Sequence, residues 1–500
     1  MMNETNFQNL TAEDFRFAQH ADKIRDKKPE TKPVGYFRDA WRRFKKNKAS
    51  IVALCIIVFL ILFSIFVPVF SHYDMSFSDP VYRNKIPKNN ILAHIGIATG
   101  VYEKELNTRA YEYYASIGIG ASYDRETDTE DNTQAVGAEY SAIRSIAGKT
   151  AERTVTKMDA YLEIGFRYLS VTQEEYDSIV AYEKETGEQV LYPMVDIYDS
   201  SVADTEDANY WFKVDETGRA VTDSQGNLED LYMRDADGNV VYSVSRDVTG
   251  KMIRVLYYKY FVYKNGFEPE FLFGTNSVGQ DIVVRLASGI RLSLLLAFGV
   301  SIINLLIGAI YGTIEGYYGG TTDLIMERIV DILAGLPFIV VATLFQMHFA
   351  KTAGIVPALL LAFVLTGWIG TSRRVRTQFY RFKGQEYVLA ARTLGAGNFR
   401  LMFKHIFPNT LGTIITSSVL VIPSVIFSES MLSYLNIVNL SGTTMTSIGA
   451  MLSDGQAVLA SFPHVIFFPA LVISLLMISF NLFGNGLRDA FNPSLRGVND

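Results

Sequence analysis

The 500 residues are 49% hydrophobic, 20% charged and 13% aromatic, with a formal net charge of −6. That apolar content excludes a disordered chain, and a single cysteine excludes a disulfide-built scaffold. The charge is uneven: residues 71–275 hold 35 acids against 20 bases, and the remaining segments hold 17 against 26, so an acidic block interrupts a basic, hydrophobic chain.

Residues 1–48 form a basic N-terminal segment that closes with Arg42, Arg43, Lys45, Lys46 and Lys48. Residues 51–70 follow with no charged side chain in 20 positions. At about 1.5 Å per residue such a helix crosses a ~30 Å hydrocarbon layer. A cleaved signal peptide is the competing reading, but 50 residues precede the run, which is too long for the apolar part of such a signal. A first transmembrane helix is therefore expected over 49–71. Cys55 lies within it and is read as a small packed hydrophobe. Leu54 before it, where a small residue would be needed, argues against lipid attachment.

Residues 72–275 contain no apolar run of span length. Short aromatic or β-branched stretches are separated by turn-forming clusters at 185–187, 215–218, 235–239 and 249–250, the pattern of β-hairpins. Residues 103–116 and 174–185 allow helices, and the block is expected to be a compact α+β domain. Asp235, Asp237 and Gly238 suggest a calcium loop, but the third acidic ligand and the glutamate at the twelfth position are missing, which leaves a hairpin turn. The acidic surplus is read as a solvated surface, with selection of a basic partner or substrate as the alternative.

Five more apolar segments, at 292–314, 329–349, 355–369, 411–434 and 465–483, raise the expected count to six spans. The last five lie in a core over 276–487, followed by a tail over 488–500. Pro337 and Pro423 are expected to kink their helices. Glu315, Glu327, Asp331 and Glu429 lie in or beside these segments, where a charge is expensive and marks either an interfacial position or a functional one. Orientation follows from Lys and Arg, because short basic loops stay in the cytoplasm. Arg373, Arg374, Arg376, Arg381, Lys383, Arg392, Arg400 and Lys404 crowd the loop over 371–408, whereas residues 433–463 carry no Lys or Arg. Six spans reconcile these facts with both termini in the cytoplasm of a multi-pass cell-membrane protein, the basic loop beside them, and residues 72–285 outside the cell.

No G-x-x-x-x-G-K-[ST] string occurs; Gly148, Lys149 and Thr150 come nearest, with Ile143 in place of the first glycine. No H-E-x-x-H occurs, the six histidines are scattered, and His348 and His464 at span edges read as interfacial residues. With no nucleophile and base to group, the chain is not expected to be an enzyme or to hold a cofactor or metal of its own. Transport work would then draw on an ion gradient or on another subunit.

The informative stretch is 386–409, too polar to span and too apolar for a plain linker. Helix formers over 386–394 precede a break at Gly395, Ala396 and Gly397, and a second amphipathic turn follows over 399–403. Two short helices joined by a glycine hinge suit the inner membrane face and a partner's groove equally.

Ala390, Ala391 and Gly395, with Pro408 thirteen residues after the glycine, resemble the loop shared by permease subunits of ABC importers. Leu389, His405 and Phe407 depart from the Glu, Ile and Leu usual there. The strings GTNSVGQD (274–281), GIRLSL (289–294), GYYGG (316–320) and NLFGNGLRDAFNPSLR (481–496) are similar to those of the oligopeptide/dipeptide branch, second-permease (C-type) subunit. The resemblance covers 36–70 and 271–496. Gln280 stands where Arg is common and Asn485 where Asp is common, which puts any ion pair the family builds there in doubt for this chain. The family also has a far shorter stretch than 72–275 after the first span.

This resemblance implies an α-helical polytopic membrane protein: a six-helix type I importer permease core with an inserted α+β extracellular domain. It implies a permease subunit of an ATP-driven oligopeptide importer, forming half of the translocation pathway in the lipid bilayer. The implied partners are a homologous second permease, two cytoplasmic ATPase subunits that hold ATP and Mg, an extracellular peptide-binding protein or lipoprotein, and the peptide itself. Nothing points to nucleic acid. Glu386, Ala390, Ala391, Arg392, Gly395 and Pro408 would form the ATPase-coupling loop. Asp331, Pro337, Pro423 and Glu429 are candidates for gating or intramembrane polar roles. Two other classes stay in view: a gradient-driven secondary transporter, which needs mid-bilayer ionisable residues on facing helices and an internal repeat, and a membrane-anchored sensor or scaffold whose exterior part does the work.

Overall fold

A computed structural model describes residues 36–107, 122–124, 129–131, 136–146, 149–196, 208–209, 211–213, 221–226, 229–245, 250–442 and 445–491. Most of the N-terminal segment and of the tail, the turn expected at 215–218, and Thr249 lie outside them. So do residues 108–116 of the first helix expected in the acidic block.

The first helix, α1 (Tyr36–Lys46), stops at Asn47. The Asn47 amide donates to the Phe44 carbonyl (3.1 Å), and its side-chain oxygen accepts from the Ser50 amide (3.2 Å), capping α2 (Lys48–Phe70). Helix α2 is 23 residues long and apolar enough to cross a membrane.

The acidic block that follows contains antiparallel strands. Strands β1 (Val101–Asn107), β4 (Val136–Ile146) and β5 (Lys149–Asp159) form one sheet in the order β1-β5-β4, and β2 (Ser122–Asp124) pairs with β3 (Thr129–Asp131). A second sheet is built on β9 (Gly250–Leu256). Strand β6 (Phe166–Thr172) lies along one edge, and β7 (Leu191–Tyr192) and β8 (Ser243–Ser245) share the other. Helix α3 (Gln173–Thr186) occupies the second expected helix, and α4 (Tyr257–Asn265) follows β9. Residues 103–107 are strand rather than helix. Strand β5 offers a full-length antiparallel partner, and that pairing overrides the helix propensity of Glu and Lys. Arg234 and Val240 face each other across a turn in which the Asp235 amide donates to the Asn239 carbonyl (2.9 Å).

An aromatic cluster fastens this block to the start of the next membrane helix. Tyr73, Tyr82, Tyr161, Tyr257, Phe261 and Phe271 are all buried together. Tyr73 stacks on Phe271 at 4.5 Å, and the Tyr257 hydroxyl donates to Asp79 at 2.8 Å. The string 274–281 closes the joint. Gly279 is left-handed at φ +78°, and a Cβ there would fall 1.7 Å from the Asp79 carbonyl oxygen, so only glycine fits.

Helix α5 (Ile282–Tyr318) runs 37 residues from its cap Asp281, which accepts from the Val283 and Val284 amides. Helices α6 (Gly320–Ala334) and α7 (Phe338–Ala353) meet at 75°. The third span, expected as one kinked helix, is therefore a bent pair, broken where Pro337 supplies no N–H next to Gly335 and Leu336. Helices α8 (Ile355–Gly367) and α9 (Ile369–Phe382) continue one another as a 28-residue candidate span, well past the expected end at 369. Helix α10 (Glu386–Thr393) is short. The chain then turns up through α11 (Phe407–Val419) and α12 (Val421–Tyr434), which belong to one candidate span, Asn398–Tyr434. Pro423 sits three residues past the interruption at Leu420. Helix α13 (Ile448–Gln456) precedes the last span, α14 (His464–Phe491). Among the described residues five helices are long and apolar enough to span, or six with the bent pair.

Contacts fix the directions. Phe273 stacks on Phe468 at 4.0 Å, placing the starts of α5 and α14 at the face that carries the acidic block. The Ser50 hydroxyl donates to the Leu482 carbonyl (3.2 Å), placing the start of α2 beside the end of α14 on the opposite face. The Tyr317 hydroxyl donates to Asn398 (2.8 Å), so the end of α5 and the segment around α10 share that opposite face.

Burial at the head of α5 pushes the Asp281 carboxyl up to about 7, against the lowering effect of the two capped amides. The folded chain thus keeps a proton that the unfolded chain releases near pH 4, so this group's contribution is present at low pH and lost as pH rises through about 7. The melting temperature of detergent-solubilised protein should fall between about pH 4 and 7 and level off above, and Asp281→Asn should flatten that slope. Equal slopes would contradict the assignment.

Candidate functional site: an outward segment carried on a glycine seam

Helix α5 presents Asn304, Gly308, Gly312 and Gly316 at four-residue intervals, on one face of the helix. That face lies directly on α9. A Cβ at Gly308 would come within 2.7 Å of Thr371 Cβ, one at Gly312 within 2.3 Å of the Ser372 carbonyl oxygen, and one at Gly316 within 2.7 Å of Phe379 Cβ. The partner residues advance along α9 as the glycines advance along α5, so the helices are parallel and touch backbone to backbone. Small residues allow this approach, and in a bilayer such packing replaces the hydrophobic drive that lipid does not supply.

Charges lock α6 onto the same pair. Arg376 on α9 makes a two-pronged contact with Asp323 on α6, at 2.5 and 2.7 Å. It also lies 3.4 Å from Glu315 and 3.5 Å from Glu327. Glu315 on α5 is fully buried and accepts from the Ser372 hydroxyl at 3.3 Å. Arg373 reaches Glu327 (3.2 Å) and Asp331 (3.1 Å). Asp331 therefore sits on the exposed side of α6 in an ion-pair network, and Pro337 marks the bend beyond it. Glu429 is placed differently. It is buried on α12, where Ser293, Ser433 and Ser430 donate hydroxyls to it at 2.9, 3.0 and 3.5 Å. These donors satisfy a carboxyl group that would otherwise be costly at this depth. Pro423 lies in the first turn of the same helix.

Helix α10 hangs from the α5–α9 pair by Val388, which is fully buried in a cluster with Val375, Phe379, Leu401, Met402 and Ile406. Ala391 packs inward against that cluster, while Glu386, Ala390 and Arg392 face outward. The helix ends in a Schellman turn: the Gly395 amide donates to the Arg392 carbonyl and the Ala396 amide to the Ala391 carbonyl, each at 3.0 Å. Gly395 is left-handed at φ +86°, and nothing lies within 4 Å of the Cβ it lacks. The glycine is therefore set by backbone conformation, not by crowding within this chain. Pro408 occupies the first turn of α11, where its missing N–H leaves no bond unmade.

The outward face of this segment sets exposed apolar side chains beside Glu386 and Arg392. Leu389, Leu394 and Phe399 are 46%, 88% and 73% exposed, and Phe403 joins Phe399 at 4.6 Å between ring centroids. The structure thus brings Glu386, Ala390, Ala391, Arg392 and Gly395 together on one small element, and sets Asp331, Pro337, Pro423 and Glu429 elsewhere in the membrane body. Sequence reasoning missed the seam, although three glycines spaced by four in an apolar run signal it. Charge alone reads Arg373 and Arg376 as orientation or lipid-anchoring cations, whereas both are paired within the fold.

Two family models match the chain. Residues 304–497 match the binding-protein-dependent transport system inner membrane component, and residues 35–87 match the N-terminal TM domain of oligopeptide transport permease C. The chain is 44% identical over 224 residues to the oligopeptide transport system permease protein OppC of Bacillus subtilis, covering 45% of this chain and 72% of that protein. It is 41% identical over 225 residues to the dipeptide transport system permease protein DppC of the same organism, covering 45% and 69%. Among solved structures, an inward-facing form of the MetNI methionine ABC transporter is similar at 15% identity and a TM-score of 0.35, over 42% of this chain and 96% of that one.

The seam makes a quantitative expectation. Gly312→Ala puts a methyl group into the Ser372 backbone and should destabilise the folded protein by about 2 kcal/mol. Gly299→Ala, whose Cβ would meet only the Leu360 side chain at 3.6 Å, should stay within about 1 kcal/mol of wild type. Thermal unfolding in detergent measures both, and equal shifts would contradict the close approach.

Proposed function

The chain belongs to the peptide permease family of binding-protein-dependent ABC importers, and from that premise we propose that it is one half of a peptide pathway whose ATP-driven partners grip it at α10. It pairs with a homologous permease, and the peptide passes between the two. Two cytoplasmic ATPase subunits, which hold ATP and Mg, receive the outward face of α10. Closure of the ATPases pushes α10 and, through the seam, the α5–α9 pair, opening the route alternately to each side. The observation that carries this reading is an apolar surface on a short, stiff helix whose root is buried. An unpartnered Leu at the tip of a basic membrane loop suits a groove better than water.

In this reading the face carrying α10 is cytoplasmic, by the excess of Lys and Arg there. Both termini lie on that side, residues 72–285 lie outside, and the strand-rich block meets the extracellular peptide-binding protein.

The test uses Leu394, which is 88% exposed, so that its replacement leaves the fold intact. Losing a buried leucine contact of about 1.5–3 kcal/mol weakens docking about tenfold or more. Leu394→Asp should abolish co-purification of the ATPases and ATP-dependent peptide uptake, with the chain still inserted and normally stable. Unchanged uptake and co-purification would remove α10 from the coupling role.

A further inference from the structure

Helix α1 has a fixed inner face. Ala40 and Phe44, one turn apart, are buried, and Phe44 meets Phe483 of α14 edge-on at 5.5 Å. Arg38 lies three and four residues before Trp41 and Arg42, and Lys45 four and three residues after them, so the four share one outward face as a stripe. All four are exposed. Trp41 is 47% exposed, with the Lys45 ammonium 5.4 Å from its ring centre. The acid of α1, Asp39, is on a different face and is engaged by Arg43 at 3.1 Å. Among the described residues no carboxylate lies within ion-pair distance of Arg38, Arg42 or Lys45.

The position of the stripe selects its occupant. Asn47 joins α1 directly to α2, whose apolar run starts at Ile51, six residues beyond Lys45. At about 1.5 Å per residue the Lys45 end of the stripe lies within ~10 Å of the hydrocarbon edge, at headgroup depth, and the Phe44–Phe483 contact holds α1 beside the end of α14. Helix α2 is on the rim of the bundle, with Val52, Phe59, Leu62 and Phe66 exposed, so lipid reaches this corner. Three cations flanking an indole at that depth match a phosphodiester headgroup in charge, and the indole matches the interfacial zone below it.

We propose that the Arg38–Trp41–Arg42–Lys45 stripe is a docking surface for anionic phospholipid headgroups, which anchors α1 and the rim of the bundle to the inner leaflet. Binding is electrostatic at its outer edge and therefore weakens with salt.

The test reads the lipid next to Trp41. The chain has three tryptophans, so Trp211→Phe and Trp368→Phe leave Trp41 as the reporter in the full-length protein. The protein is reconstituted in vesicles of phosphatidylcholine and phosphatidylglycerol, with one or the other lipid brominated. Brominated phosphatidylglycerol should quench Trp41 several-fold more than its bulk fraction accounts for, and added salt should reduce the excess. R38Q/R42Q/K45Q should bring the excess to nothing. R38K/R42K, which keeps the charge, should retain it and shows that the helix still folds. Equal quenching by the two lipids in the parent, or a full excess in the glutamine variant, would overturn the proposal. So would loss of a co-purifying cytoplasmic subunit from the glutamine variant with its lipid preference intact, because the stripe would then serve a protein.

Discussion

Backbone contact between α5 and α9 along Gly308, Gly312 and Gly316 is the constraint on which the rest of the membrane body depends. A 37-residue helix and a 28-residue span lie close enough that a single methyl group would force them apart. Lipid tails offer no hydrophobic reward for bringing two helices together, so dispersion contact over a flat, small-residue face supplies the attraction. Because the partner positions advance together, sliding one helix along the other breaks every contact at once. The pair therefore behaves as a rigid unit, and whatever is attached to its end moves with it.

Two things are attached there. The first is α6, held by Arg376 against Asp323 and Glu327, with Glu315 of α5 beside the same cation and Arg373 extending the network to Asp331. The Arg376–Asp323 fork is short and partly shielded, so it resists solvent competition better than an exposed pair does. The second is α10, rooted by Val388 and finished by the Schellman turn at Gly395. The apolar residues at its tip gain nothing from this chain, since Leu394 touches almost only solvent. In the proposed function their partner is an ATPase groove, and the seam is what turns a push on eight residues into motion of the bundle.

Much of this architecture is legible in the sequence. The apolar runs located the spans, because twenty uncharged residues leave few alternatives to a membrane. The short helix over 386–394 and the break at Gly395 were readable because Gly is the usual residue where a helix must end left-handed. Span ends were harder: α9 carries Arg373, Arg374 and Arg376, so its polarity hid a helix that runs on to Phe382. Arg373 and Arg376 share their burden with Asp323, Glu315 and Glu327, partners far off in sequence. The strand over 103–107, where the sequence also allows a helix, is hidden for a similar reason, since its ladder partner lies about fifty residues away in β5. The bend at Pro337 was expected as a kink, but its size depends on Gly335 and on what α6 and α7 each pack against.

The central claim is that α10 and the α5–α9 pair move as one body. It is tested most directly by pulsed electron–electron distance measurements between spin labels at Leu306 on α5 and Thr393 on α10, with Cys55 replaced by Ser, in the assembled transporter. Rigid transmission predicts the same distance distribution in the nucleotide-free and ATP-trapped states, while the distance from Thr393 to the partner permease changes. A shift between the two labels within this chain of a helical turn, about 5 Å, would contradict it and show that α10 flexes against the seam.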